Sequence, residues 1–172
     1  MSDSTATGND LRATDSPRIT NFESVEWKSY SKGRFGCDVK SVTSGIGAKN
    51  LDCTLIRLAP GQVNGPYHYH HVAEEHFIVL EGNGVARLDG REIEIGPNDV
   101  IVCPTGPTGA HQFTNTGTEP LVYLAISTEG SIDIGEYPDS DKLVVFVDGV
   151  EAASRFRAFR RESQVEYWDR EN

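Results

Sequence analysis

The sequence predicts an all-β domain, closed into a barrel or packed as a sandwich, and three observations carry that prediction. Apolar and polar residues alternate over many short runs. The runs are separated by Gly, Pro and Asn turn residues, with strand following strand across the middle of the chain. Asp89-Gly90 stands between two such runs, and a type I′ turn needs positive φ at both central positions, so the pair marks a hairpin.

Taken in order, residues 1–18 are rich in Ser, Thr, Asp, Gly and Asn without periodic apolar positions and are expected to be a disordered tail. Residues 19–50 form an N-terminal arm and a first strand. Phe22, Val25, Trp27 and Tyr30 anchor the arm against the barrel or a partner subunit, Gly33 and Gly36 bracket a turn, and a strand runs over 37–43. Residues 51–129 are the barrel core. Its strands are placed at 51–58, closed by Pro60-Gly61, then at 77–80, 85–88, 91–95, 100–103, 111–115 and 121–127. Residues 130–172 add a β-branched strand over 142–147 and a short helix over 152–161, whose Arg155, Arg157, Arg160 and Arg161 read as a solvated basic face. That strand and the aromatic arm look surplus to a small barrel, and the edges they expose predict a homodimer.

Composition narrows the function. The 172 residues suit one domain with a sizeable core, and 37% apolar with 24% charged residues is ordinary for a soluble globule. A net charge of −10 repels phosphate backbones and anionic lipid, so neither nucleic acid nor a membrane is an expected partner. The first ten residues lack the basic start and apolar centre of a secretory signal, and the expected location is the cytoplasm. Cys37, Cys53 and Cys103 are odd in number, widely spaced and without a CxxC pair, which fits reduced thiols; Cys103 reads as a packed core thiol.

Chemistry concentrates in the stretch from Pro66 to Phe77. Successive side chains of a strand alternate faces, so His68 and His70 point the same way and offer two imidazole nitrogens. A bend that returned Glu75 to the two rings would complete a mixed nitrogen and oxygen set suited to a divalent metal, with a fourth ligand still needed. His71 and His76 fall outside this pattern and read as ordinary surface or core histidines.

These residues resemble the first motif of the cupin superfamily, HxH, four residues, Glu, six residues, Gly, which His68, His70, Glu75 and Gly82 match position by position. The family's second motif is Gly, five residues, PxG, two residues, His, three residues, Asn. Here Pro104-Thr105-Gly106, His111 and Asn115 supply it, with two departures. Four residues separate Gly106 from His111, and Asn98 stands at the leading Gly position, where Asn also tolerates the left-handed conformation. The resemblance covers residues 50 to 170. It implies a double-stranded β-helix and one divalent ion, iron, manganese, nickel or zinc, held by His68, His70, Glu75 and His111.

Such a ligand set leaves one or two coordination positions open for water or substrate. Cupins with the same four ligands serve as dioxygenases, sugar isomerases, decarboxylases and lyases, so the fold does not choose among them. Strand alternation places Phe77 and Val79 on the side of Glu75, and Phe113 on the side of His111, as walls of an apolar pocket. That pocket favours a small oxygenated molecule and dioxygenase chemistry. Sugar isomerase or lyase chemistry at the same site is the first alternative, and non-catalytic binding of a small molecule is the second.

Overall fold

The computed structural model describes residues 18–148 and 156–171. The predicted disordered tail therefore lies outside the described residues except for Arg18. Among the described residues the strands are β1 Lys28–Lys32, β2 Phe35–Ser41, β3 Leu51–Leu58, β4 Tyr69–His70, β5 Glu75–Glu81, β6 Gly84–Leu88, β7 Arg91–Ile95, β8 Val100–Cys103, β9 His111–Thr114, β10 Leu121–Thr128, β11 Ile132–Tyr137, β12 Lys142–Val147 and β13 Phe156–Arg160. The expectation of an all-β fold holds. Among the described residues no helix is long and apolar enough to cross a membrane.

The strands pair antiparallel into a six-stranded sheet of order β1-β2-β3-β10-β5-β8, a four-stranded sheet β13-β12-β11-β4 and a three-stranded sheet β7-β6-β9. A single bridge, His68 with His111, joins the two smaller sheets edge to edge, and together they face the larger one. Val63 closes the side of the barrel by bridging both Phe35 and Thr114. Alternation fixes which residues fill the interior. In β10 the buried positions are Leu121, Tyr123 and Ala125; from neighbouring strands Phe77, Val79, Ile101 and Cys103 join them, and Phe113, Ala86 and Ile95 meet them from the opposite sheet. Burying each large side chain contributes on the order of 1.5–3 kcal/mol, which makes this layer the main source of stability.

The turns follow their residues. Asp89 and Gly90 adopt φ of 46° and 75°, the type I′ hairpin joining β6 to β7. Gly82 requires its lack of a side chain: at φ 76°, a Cβ would sit 2.2 Å from the Pro120 carbonyl oxygen. Asn98 takes φ 76°, as expected of an Asn in the place of Gly.

Two expectations are corrected. The helix predicted over 152–161 is instead, from residue 156, the strand β13, because β12 offers an open edge and pairs it in register, Val144 with Ala158; residues 152–155 lie outside the described residues. The strand over 142–147 is not surplus. It lies between β11 and β13, and β11 pairs with β4, so residues past 129 complete the sheet that carries the histidine strand. Within the segment expected as an arm, residues 28–32 pair with β2 as β1, Phe22 and Tyr30 are exposed, the Trp27 ring faces Lys40 Nζ at 4.7 Å and the Arg57 guanidinium at 4.3 Å, and Lys40 Nζ donates to the Phe22 carbonyl at 2.6 Å.

Candidate metal centre

Four side chains from three strands and a preceding turn meet at one end of the barrel. His70 ends β4, Glu75 opens β5, His111 opens β9, and His68 stands just before β4. The chain does not return on itself through a tight bend to bring Glu75 back. Residues 71–74 cross from the four-stranded to the six-stranded sheet, and the two sheets facing each other place the carboxylate opposite the rings. Among the described residues, His68, His70 and Glu75 are the group whose ligand atoms all lie within 4.8 Å of one another. Glu75 Oε2 stands 3.4 Å from His70 Nε2 and 3.2 Å from His111 Nε2. The His68 ring centroid is 4.6 Å from that of His111.

The two extra residues before His111 are absorbed by a 3-10 turn over Pro107–Gly109, in which Gly109 N donates to Gly106 O and Ala110 N to Pro107 O. A Cβ on Gly109 would stand 1.7 Å from the Pro104 carbonyl oxygen, so the turn closes only around glycine. His111 then exchanges both backbone hydrogen bonds with His68, at 2.8 and 3.2 Å.

The outer nitrogen of every ring is occupied. His68 Nδ1 donates to the Pro66 carbonyl at 2.9 Å and His111 Nδ1 to the Gly109 carbonyl at 3.0 Å; a carbonyl only accepts, so each Nδ1 carries the proton. His70 Nδ1 donates to Asp133 Oδ2. Each Nε2 is thereby left as a bare lone pair, and the Nε2 atoms of His70 and His111 face Glu75. Burial, then the neighbouring His111 and His70, lowers His68 from its ordinary 6.5 to about 3; the ring keeps an edge to solvent but is enclosed by imidazoles and by Tyr137, stacked at 5.2 Å. Burial likewise lowers His111, against the opposing pull of Glu75. Both rings are neutral at pH 7, as ligation requires.

Glu75 Oε2 is buried and has no hydrogen-bond partner. An orphaned carboxylate oxygen facing two imidazole lone pairs is unfavourable without a cation between them. The residues present therefore fit a divalent metal, and the nitrogen-rich set suits a transition ion or zinc better than calcium or magnesium.

Phe77, Val79 and Phe113, expected as pocket walls, are packed into the core at 3%, 2% and 1% exposure. Phe77 lies behind the site, its ring centroid 5.1 Å from His111 and 4.7 Å from Phe113. Cys103 is a core thiol, pushed by burial and by Glu75 up to about 12. Open space instead borders His70 and Asp133. A cleft of about 220 Å³ is lined there by His70, Ala73, Ser127, Thr128, Glu129, Asp133, Phe146 and Asp148. His71 and His76, outside the motif, pair with Glu136 at 2.9 Å and Glu74 at 2.8 Å. Asp133 and Tyr137, both on β11, carried no sequence signal beyond lying in a run of mixed polarity.

Comparison with known proteins agrees with this geometry. Residues 54–127 match the cupin domain family. The chain is 34% identical over 134 residues to auxin-binding protein 1 of Arabidopsis thaliana, an alignment covering 72% of this chain and spanning just under two thirds, 65%, of that relative's length. Among solved structures it is similar to a putative sugar phosphate isomerase from Acidithiobacillus ferrooxidans, with a TM-score of 0.75 at 24% identity over 91% of this chain and 94% of the other. It is also similar to a cupin sugar phosphate isomerase from Silicibacter pomeroyi, with a TM-score of 0.73 at 26% identity over 87% and 96%. With the barrel, the histidine motif and these likenesses in agreement, residues 54–127 are identified as a cupin domain.

Proposed function

We propose that the protein is a metal-dependent enzyme acting on a small hydroxylated carbonyl compound, with isomerase or lyase chemistry ahead of dioxygenase chemistry. The observation that carries this ordering is the cleft beside His70, which Ser127, Thr128, Glu129 and Asp148 line together with Phe146. A substrate rich in hydroxyls can share hydrogen bonds with such a lining, which a wholly apolar pocket would not offer. His68, His70, Glu75 and His111 would hold the ion. A divalent ion so held supplies polarisation of a substrate carbonyl or hydroxyl oxygen.

The remaining roles belong to the chain itself. Phe146, its ring centroid 6.4 Å from His70, offers an apolar surface to the carbon skeleton of a bound molecule. Glu129 and Asp148 stand in the cleft as groups able to accept a proton from a carbon beside the carbonyl. The likeness to the sugar phosphate isomerase from Silicibacter pomeroyi supports the same reaction class. Dioxygenase chemistry is the second reading, since the ligand set serves it equally well, but the apolar walls that favoured it are core residues.

The test is to load the chain with manganese, iron, cobalt or zinc in turn and follow aldoses and ketoses by NMR in D2O. Catechols and β-dicarbonyls are examined in parallel on an oxygen electrode. Deuterium entering the carbon next to the carbonyl, with no oxygen consumed, is the expected result. Oxygen uptake without exchange would reverse the order, and line broadening by sugars without turnover would favour the non-catalytic binding reading.

A homodimer is part of the same proposal, on grounds different from those of the sequence. The outer face of β5 and the edge strand β8 expose Leu80, Val100 and Val102 at 40%, 63% and 54%. An open apolar edge of this kind is one that a second copy covers. Light scattering at micromolar concentration is expected to give twice the chain mass, and Val100→Lys with Val102→Lys is expected to return it to the monomer value.

A further inference from the structure

We propose that Asp133 is a positioning residue of this metal centre, fixing the tautomer of His70 and the path of the crossover that delivers Glu75. The inference rests on the metal-site reading above and extends it to a residue outside the segment that matches the cupin domain. Asp133 divides its two oxygens between two tasks. Oδ2 accepts from His70 Nδ1, while Oδ1 accepts from the backbone N–H groups of Val72 at 3.0 Å and Ala73 at 3.3 Å. One carboxylate therefore grips both the ligand ring and the two residues at the centre of the 71–74 crossover.

The ring needs that grip for a reason of tautomer chemistry. A neutral imidazole carries one proton, and with no acceptor at Nδ1 it distributes that proton over both nitrogens. In the wrong tautomer Nε2 points an N–H at Glu75 in place of a lone pair. His68 and His111 avoid this through backbone carbonyls two residues earlier in the chain. His70 relies on a side chain 63 residues away. The strand around His70 has its own support: β4 pairs with β11 at Gly135, Gly106 N donates to His70 O at 2.7 Å and His71 N to Ile134 O at 2.8 Å. Asp133 thus acts on the ring and the crossover rather than on the strand, which separates a positioning role from a structural one.

The experiment titrates Co2+ against a competing chelator into the full chain and into Asp133→Ala, Asp133→Asn and Glu136→Gln, and records the ring 15N spectrum of His70 in the metal-free proteins. Glu136 is a control on the same strand, bound to His71 and Arg161 outside the ligand set. The expected result is a loss of about 10- to 100-fold in Co2+ affinity for Asp133→Ala, with an altered Co2+ absorption spectrum. A smaller loss is expected for Asp133→Asn, which keeps one carbonyl acceptor, and none for Glu136→Gln. In the metal-free proteins His70 is expected to be protonated at Nδ1 in the parent and mixed in Asp133→Ala. Affinity within about two-fold of the parent together with an unchanged His70 tautomer would overturn the inference, taking the order-of-magnitude effect expected of such partners as the yardstick. Should the parent bind no Co2+, the metal-site reading fails by itself and the tautomer comparison alone decides the role of Asp133. Should Asp133→Ala not fold, the Asp133→Asn tautomer spectrum decides it in the same way.

Discussion

The two halves of the candidate metal centre are built differently. His68 and His111 are braced locally: they bond to each other through the backbone, each ring is oriented by a carbonyl two residues back, and His111 is 2% exposed against Phe77. His70 and Glu75 are braced at long range. They begin on different sheets, their side chains are 15% and 17% exposed, and the ring is oriented by a carboxylate from β11. Within these halves His111 belongs to the core as much as to the site, whereas His70, on the rim, lines the cleft.

Replacing one ligand from each half tests that division and produces the largest effects. His111→Ala and His70→Ala are both expected to abolish stoichiometric metal binding after dialysis against chelator. Their stability costs should differ. Removing the His111 ring leaves a cavity beside Phe77 and Phe113 and is expected to cost roughly 2–4 kcal/mol in urea unfolding of the metal-free protein. Removing the His70 ring opens onto an existing cleft and is expected to cost about 1 kcal/mol, chiefly the bond to Asp133. Equal costs would show that the halves are not distinct.

That contrast also explains what was legible in the sequence. His68 and His70 could be paired from the two-residue period of a strand, a local signal, and Glu75 and His111 were named with them through the spacing of the two cupin motifs that the sequence resembles. Asp133 could not, since nothing in residues 130–137 reveals that β11 will pair with β4. Alternation correctly turned Phe77, Val79 and Phe113 inward, but inward in a barrel means either cavity or core. The Phe77, Phe113 and Tyr123 rings fill that space themselves, with centroids 4.7 to 5.9 Å apart. The misread helix after residue 155 has the same origin: the open edge of β12 decides the conformation of Phe156–Arg160, and an edge is not visible from local composition.

A second test uses acid. His68 and His111 have folded-state values below their ordinary 6.5, so below that pH the unfolded chain takes up protons that the folded chain refuses. Stability of the metal-free protein is then complete above about pH 6.5 and falls as pH drops toward 3. On the rim, burial would raise Asp133 but its bond from His70 and the backbone N–H groups of Ile134 and Val72 lower it beneath 3.8; its contribution is present above that ordinary value and lost only as pH falls through the folded one. Thermal melts are expected to decline between pH 6.5 and 4.5 in the parent. In His68→Asn the decline should be visibly shallower, and in Asp133→Asn unchanged. An equal flattening in both variants would assign the acid response to the rim.

The smallest expected effect comes from another long-range tie, Arg87 to Asp139, 52 residues apart. Like Asp133, Asp139 holds a nitrogen-bearing side chain distant in sequence, with both carboxylate oxygens engaged by Arg87 at 2.6 and 2.9 Å and the guanidinium lying 3.8 Å over the Tyr67 ring. Sequence separation is therefore similar in the two ties, and exposure differs: the Asp139 side chain is 47% exposed, against 16% for Asp133. Water replaces a lost partner at the surface, so Asp139→Ala is expected to cost about 0–1 kcal/mol. Metal affinity should stay at the parent value, because Arg87 keeps its stacking on Tyr67 and no ligand ring depends on the pair. A drop in affinity comparable to that of Asp133→Ala would mean that any long-range carboxylate tie near the site tunes it. A null result would locate the effect in the one carboxylate that reaches a ligand ring.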